Sequence, residues 1–116
     1  GRKQKQKIRL RCLGSKAQSQ QAQLPICAAT GEMPEDIKAQ AEMSLLNVKA
    51  VLEAAGSSLD KVVKTTCFLA DINDFAAFNE VYARMMPKTG APSRSAVGIA
   101  ALPKGAKVEI EAIAIR

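Results

Sequence analysis

The last quarter of the chain decides the fold: Ala91-Pro-Ser-Arg94-Ser, then Leu102-Pro-Lys-Gly105, then Glu109-Ile-Glu-Ala-Ile113. Residues 95–101 and 107–115 are short, branched and apolar, which is typical of buried strands. Pro103 and Gly105 interrupt the apolar run and indicate a turn between the two strands. The pattern therefore predicts a sheet whose final strands flank a tight connection.

Two charged residues stand at the edges of these predicted strands. Arg94 precedes the first strand, and Glu109 lies near the start of the second. A guanidinium is a planar fork of donors that suits a carboxylate, and a glutamate facing an enclosed site can hold and polarise a water molecule. Together they indicate hydrolysis of a small anionic substrate, against the alternative that both are solvated charges.

A long helix is predicted upstream, over residues 34–55. Pro34 can start it, Gly56 can end it, and Glu35 and Asp36 fall in its first turn, where carboxylates interact favourably with the helix dipole. Apolar residues recur at spacings of three and four, as expected for a buried helix face: Ala41, Leu45, Val48, Leu52 and Ala55.

The next segment alternates like a strand and leads into a second helix. Over residues 61–69, one face is predicted to carry Val63, Thr65, Cys67 and Leu69. Asp74 can cap the second helix, and Met86-Pro87 closes it. The apolar positions of that helix are again three or four residues apart: Phe75, Phe78, Tyr82 and Met85.

These elements, preceded by a strand around residues 22–28, predict an α+β domain with both helices on one face of a sheet. The last two strands would form a hairpin in the simplest topology. The opposite face of the sheet is apolar and needs a cover, which another copy of the chain can supply.

Charge and composition narrow the function. The 116 residues suffice for one domain, which buries about two thirds of its unfolded surface. Aromatics make up only 3%, so stacking on nucleic-acid bases is not expected. Residues 1–16 hold seven of the 17 basic residues and no acidic one, so 10 basic and 11 acidic residues remain and the body is close to neutral.

The chain contains no histidine, which excludes Ser-His and Cys-His nucleophiles and every histidine-containing metal site. Its three cysteines, Cys12, Cys27 and Cys67, have neither zinc nor redox spacing and fit a reducing cytosol. Cys67 is expected to be a small core residue. No apolar run approaches the length of a membrane span, so a cytoplasmic protein is expected. The lack of histidine and the cysteine spacing predict that it binds no metal.

The sequence resembles the Rid/YjgF family of imine and enamine deaminases, some of which are described as translation-inhibiting ribonucleases. The resemblance covers roughly four fifths of the chain. The motifs that carry it are Leu24-Pro-Ile, Ala29-Thr-Gly-Glu-Met33, Asn47-Val-Lys-Ala-Val-Leu-Glu-Ala-Ala-Gly56, Val62-Val-Lys-Thr-Thr66, Leu69-Ala-Asp-Ile-Asn-Asp-Phe75, Asn79-Glu-Val-Tyr82 and Pro92-Ser-Arg94-Ser.

The resemblance implies a chorismate-mutase-like mixed sheet, with the final strand inserted antiparallel between two earlier ones. It also implies a homotrimer with sites at the subunit interfaces and no cofactor. By the same resemblance, Arg94 binds the carboxylate of a small 2-imino or 2-enamino acid, Asn79 lines the pocket, and Glu109 orients the hydrolytic water. The implied activity is that of a 2-iminobutanoate/2-iminopropanoate deaminase.

Residues 1–22 form a basic segment that departs from the family, and residues 23–116 form the family-like domain. The family's early tyrosine is absent, and Gln21-Ala22 stand where the family usually has Ser-Gly. Two alternatives therefore stay open: a weakened module that binds small carboxylates or a protein, and an RNA-acting translation inhibitor. Residues 1–16 would contact RNA weakly through phosphates, and a solvated tail is the favoured interpretation of them.

Overall fold

The computed structural model describes residues 32–88 and 90–115, together with the backbone of residues 7–11. Two helices and four strands follow in the order β1, α1, β2, α2, β3, β4, which confirms the predicted α+β class. The elements are β1 (Lys7–Arg11), α1 (Ile37–Ala54), β2 (Val62–Leu69), α2 (Phe75–Met85), β3 (Ser93–Gly98) and β4 (Val108–Ile115).

The strands form one mixed sheet in the order β1-β4-β2-β3. β4 runs antiparallel to both β1 and β2, and β3 runs parallel to β2 at the edge. The final strand is thus inserted between two earlier ones, as the resemblance implied. The simple hairpin of β3 and β4 is wrong, because residues 99–107 carry the chain across β2 before β4 begins.

The start of α1 differs slightly from its prediction. The helix begins at Ile37, and Asp36 is its N-cap rather than a residue of its first turn, with Oδ2 accepting a 3.1 Å hydrogen bond from the Ala39 N–H. This bond satisfies one of the amides that every helix N-terminus leaves open. Gly56, at φ 83°, follows the helix end, as predicted.

α2 begins without the predicted side-chain cap. Asp74 stands at the N-cap position, but its side chain makes no capping bond. A short 3-10 helix, Ile72–Asp74, runs directly into α2, and Asp71 caps that helix by accepting a 2.9 Å bond from the Asn73 N–H. Met86 leaves the helix in an extended conformation before Pro87, which confirms the predicted end.

The predicted faces of β2 hold only from Thr65 onward. Thr65, Cys67 and Leu69 are buried, but Val63 is 40% exposed and Val62 is buried in its place. The register against β4 shifts between Val62 and Lys64, so an irregularity there reverses the alternation. The assignment of Val63 to the same face as Thr65, Cys67 and Leu69 is therefore wrong.

A strand lies inside the basic segment that was interpreted as a solvated tail. Lys7–Arg11 pairs antiparallel with β4, from Lys7 opposite Ile115 to Arg11 opposite Glu111. This pairing satisfies the backbone of β4 on its second side, an interaction that side-chain composition does not encode. The division into residues 1–22 and 23–116 stays a prediction, and the strand expected around residues 22–28 lies outside the described residues.

The two faces of the sheet differ in what covers them. α1 and α2 pack on one face, where β4 contributes its buried alternation Val108, Ile110, Ala112 and Ala114. The other face carries Phe68, Ile113 and Ile115, half-buried, together with the exposed Val63 and Val97. Within the described residues, one apolar face is thus left without a helix, as the sequence predicted.

The connection between β3 and β4 contains a strained turn. Lys104 (φ 58°) and Gly105 (φ 68°) both adopt left-handed conformations, and the Ala106 N–H closes the turn on the Pro103 carbonyl at 3.1 Å. This conformation suits Asn-Gly far better than Lys-Gly, because asparagine tolerates positive φ.

Lys104→Asn is therefore expected to stabilise the protein by about 1 kcal/mol, which raises Tm by a few degrees. Thermal unfolding at fixed protein concentration measures the effect. Lys107→Asn makes the same change outside the turn and is the control, with no gain expected. Equal Tm values for the two variants would contradict the assignment of strain to Lys104.

Candidate functional site

Arg94 lies on the edge strand β3 and faces the helices. It pairs in register with Thr65 of β2, whose side chain is buried on the helix-covered face. Paired residues of neighbouring strands share a face, so the Arg94 side chain extends beneath α2. The tertiary structure thus places a guanidinium against a helix surface instead of in open solvent.

α2 presents three residues to this guanidinium from one side of the helix. Phe75, Asn79 and Tyr82 are spaced by four and three residues, which aligns them. Arg94 Nη1 donates a hydrogen bond to Asn79 Oδ1, and the guanidinium carbon lies 4.6 Å from the Tyr82 ring centroid and 5.2 Å from that of Phe75. Two cation–π contacts and one hydrogen bond therefore hold the guanidinium. We call Arg94 and these three residues, Phe75, Asn79 and Tyr82, the arginine cradle.

The floor of the arginine cradle is itself fixed by a buried polar pair. Tyr82 OH and Thr65 Oγ1 share a 2.6 Å hydrogen bond, with the residues 7% and 2% exposed. The Phe78 ring packs at 5.7 Å from the Tyr82 ring. Burial raises the pKa of the Tyr82 phenol, so it stays neutral and can donate or accept this bond.

Tyr82→Phe is expected to cost about 1–3 kcal/mol of unfolding free energy, because it leaves the buried Thr65 hydroxyl without its partner. Thr65→Val is expected to cost a similar amount for the reciprocal reason. The double variant should cost clearly less than the sum, since both polar groups are then gone. Urea denaturation of the four proteins checks this, and strictly additive costs would contradict the pairing.

A cavity of about 450 Å³ opens beside the arginine cradle. Lys88 and Arg94 are the charged side chains of its described lining, which also includes Asn79, Tyr82, Met86 and Pro92. An arginine carries five N–H donors, so the bond to Asn79 leaves donors for a ligand. Two cations in a small cavity favour a small anion, and the planar fork favours a carboxylate.

Glu109 lies away from the arginine cradle. It is half-buried on β4 and pairs in register with Phe68, on the sheet face opposite α1 and α2, which no helix of the described residues covers. β3 and β4 are separated by β2, which puts their backbones about 10 Å apart. Within one chain the structure thus brings Arg94 and Asn79 together and places Glu109 on the opposite face of the sheet.

Cys67 belongs to the core and not to the site chemistry. It is fully buried and free, and it faces Ile110 of β4 and Ala96 of β3 in the sheet register. Burial raises the pKa of its thiol to about 12, although Arg94 acts in the opposite direction. A thiol that stays protonated is a poor nucleophile, which agrees with the predicted core role.

The described part of the chain offers no metal centre or membrane span of the usual kind. Within residues 32–88 and 90–115, no three Cys, Asp or Glu side chains gather as metal ligands would. No helix in the same part of the chain is long and apolar enough to cross a bilayer.

Sequence reasoning treated Tyr82 and Phe75 only as core positions and did not identify their contact with Arg94. Their spacing relative to Asn79 was an available signal, since the three positions share one helix face. The missing information was the strand order, which brings β3 beneath that face.

Comparison with known proteins agrees with this architecture. A sequence model of the endoribonuclease L-PSP family matches residues 21–116. The 2-iminobutanoate/2-iminopropanoate deaminase of Escherichia coli K12 is 51% identical over 96 residues, which are 81% of this chain and 75% of that protein.

Two solved structures show the same fold. The crystal structure of E. coli TdcF with bound serine has a TM-score of 0.77 at 50% identity, covering 82% of this chain and 76% of that chain. RidA from an Antarctic Psychrobacter has a TM-score of 0.78 at 47% identity, with the same coverage.

The fold and the arginine cradle define a small α+β protein with a site suited to an organic anion. The chain belongs to the endoribonuclease L-PSP family, which includes the Rid/YjgF deaminases that its sequence resembles.

Proposed function

We propose that the protein hydrolyses small 2-imino and 2-enamino acids to 2-keto acids and ammonia. The observation that carries the proposal is the Arg94 guanidinium, held by Asn79 and two aromatic rings beside a cavity of about 450 Å³. Such substrates carry a carboxylate next to the reacting carbon, so one bidentate contact would both bind and orient them. The 51% identity to a 2-iminobutanoate/2-iminopropanoate deaminase supports this substrate class.

In the proposed reaction Arg94 binds the carboxylate and Asn79 holds the guanidinium in place. An enamine first tautomerises to the imine. Glu109 accepts a proton from water as the water oxygen bonds to the imine carbon and the C=N electron pair moves to nitrogen. That proton then passes to the nitrogen and gives a carbinolamine. The hydroxyl proton of the carbinolamine is transferred to the same nitrogen as the C–N bond breaks, so that the carbonyl forms and ammonia leaves. The imine supplies the electrophile and water the nucleophile, so the reaction needs no cofactor.

The position of Glu109 supports a site shared between two protomers. Arg94 and Glu109 lie on opposite faces of one sheet, so a single protomer cannot direct both at one small molecule. Glu109 stands among the apolar residues of the uncovered face, which a second copy would bury. A face-to-edge contact of this kind closes into a ring, and the resemblance implies a ring of three. The proposal is therefore a homotrimer with its sites between protomers.

We also propose a cytoplasmic location. The free, buried Cys67 and the scattered positions of the three cysteines support it, because disulfides are rare in reducing compartments.

A second candidate is a module that binds small carboxylates without turning them over. The arginine cradle favours this candidate, because the cradle lies within one protomer and would bind an anion without Glu109. The RNA-acting alternative depends on the basic residues 1–16, of which the structure describes only the backbone of Lys7–Arg11, and it stays a prediction.

The deciding measurement is ammonia or keto-acid release from an imine generated in situ by an amino-acid oxidase. The protein should accelerate this release above the uncatalysed rate. Binding of 2-oxobutanoate without acceleration would favour the binding module, and the absence of both binding and acceleration would overturn the proposed function.

A further inference from the structure

Gln40, in the first turn of α1, is a polar residue in an apolar setting. It is 3% exposed, and its neighbours Ala41 and Leu45 belong to the core. Burial of an amide costs free energy unless both of its ends are hydrogen-bonded. Both ends are bonded here: Nε2 donates to the Pro34 carbonyl at 2.7 Å, and Oε1 accepts from the Lys107 N–H at 2.8 Å.

These two bonds join parts of the chain that are far apart in sequence. Pro34 precedes α1, whereas Lys107 is the residue immediately before β4. A small satellite cluster packs between the same two segments, with Met33 on one side and Leu102 and Ala106 on the other. The Gln40 side chain is thus a direct polar link between the entry to α1 and the entry to β4.

Lys107 is held through both of its backbone groups. The Lys107 N–H donates to Gln40 Oε1. The Lys107 carbonyl accepts a 3.1 Å bond from the N–H of Ala70, which directly follows β2. Glu109 follows two residues later, opposite Phe68. A displacement of Lys107 along the strand would therefore move the Glu109 carboxylate with it.

We propose that Gln40 is a positioning residue for Glu109, an inference that rests on the proposed hydrolysis. It acts through the backbone of Lys107 and sets where the glutamate carboxylate meets the attacking water. The partners of the Gln40 amide are Pro34 and Lys107, neither of which belongs to the arginine cradle, so carboxylate binding does not depend on Gln40. The role accounts for an amide at a position where the surrounding core would accept an apolar side chain.

Gln40→Leu keeps the approximate volume and removes both bonds. We expect kcat to fall about tenfold or more with KM little changed, because small displacements of a catalytic group cost rate steeply. Leu45→Ala, on the same helix, is the control: it opens a core cavity but leaves both hydrogen bonds of the Gln40 side chain in place. Its kcat should match that of the unmodified protein at a temperature where both are folded.

Gln40→Glu tests the hydrogen bonds themselves. A protonated carboxyl can donate to Pro34 and accept from Lys107, whereas a carboxylate has no proton to donate and would face the Pro34 carbonyl. The kcat of Gln40→Glu, divided by that of the unmodified protein at each pH, should rise as pH falls. The same ratio for Gln40→Leu should stay flat.

Amide hydrogen exchange provides a readout that needs no turnover. The Lys107 N–H should exchange faster in Gln40→Leu than in Leu45→Ala, relative to core amides of β4. An active protein whose Gln40→Leu variant keeps full kcat, or loses no more than Leu45→Ala, would overturn this inference alone. An unmodified protein that does not accelerate imine hydrolysis would overturn the proposed function as well.

Discussion

Arg94→Ala is expected to abolish most of the imine hydrolysis, with the loss shared between weaker binding and misorientation. The contact proposed between Arg94 and the substrate carboxylate is charge-assisted and bidentate, worth about 1.5–3 kcal/mol, so its loss should lower kcat/KM about tenfold to hundredfold. Misorientation adds to this, because the cradle fixes the direction in which the carboxylate is held. Keto-acid release from an imine generated in situ measures the effect.

Arg84→Ala is the matched control for this change. Arg84 lies on the same helix as Asn79, but its side chain is exposed, and its Nη2 lies 3.6 Å from Oε2 of Glu42 on α1. An exposed ion pair contributes little to stability, so full activity is expected. Arg94→Lys keeps the charge without the planar fork and should recover only part of the rate. Full activity of Arg94→Ala would show that the site is assigned to the wrong residue.

Glu109→Gln is expected to lower kcat by about a hundredfold or more, since a general base commonly contributes that much. The amide has the same shape but cannot take a proton from water, so the affinity for the substrate should change little. Glu111→Gln is the control, because Glu111 lies two residues along on the same face of β4. Equal losses for the two variants would indicate a general effect of charge on this face.

A mixture of the two inactive variants distinguishes a shared site from a site within one protomer. If Arg94 of one protomer acts with Glu109 of its neighbour, random assembly of equal amounts of Arg94→Ala and Glu109→Gln should restore about a quarter of the unmodified activity. Light scattering should return the mass of three chains for this mixture. Activity that stays at the level of the single variants would place both residues in one protomer and contradict the shared site.

Arg94 and Glu109 divide the proposed chemistry between the two faces of the sheet. Binding belongs to the helix-covered face, where the cradle, Tyr82 and Thr65 are held by core packing. In the proposed reaction, water activation belongs to the opposite face, where we infer that the position of Glu109 depends on the entry to β4. Substitutions near Lys107 should consequently affect kcat, and substitutions near Tyr82 should affect binding and stability.

Much of the fold could be predicted from local patterns in the sequence. The period of apolar residues located both helices within a few positions, and Gly56 and Pro87 marked where they end. The apolar run over residues 107–115 indicated a buried strand, and the structure has β4 there with alternating burial that places Glu109 and Glu111 on one face. These features follow from the local periods of helices and strands, so the residues concerned are enough to determine them.

The tertiary structure alone decided the rest. The β2 irregularity, the pairing of Lys7–Arg11 with β4 and the insertion of β4 between β1 and β2 all depend on backbone bonds between distant segments. The same strand order sets Arg94 beneath α2 and Glu109 on the opposite face. The sequence by itself identified the chemical groups, because their side chains define the chemistry. Which of them meet depends on long-range strand pairing, and no local pattern of residues encodes it.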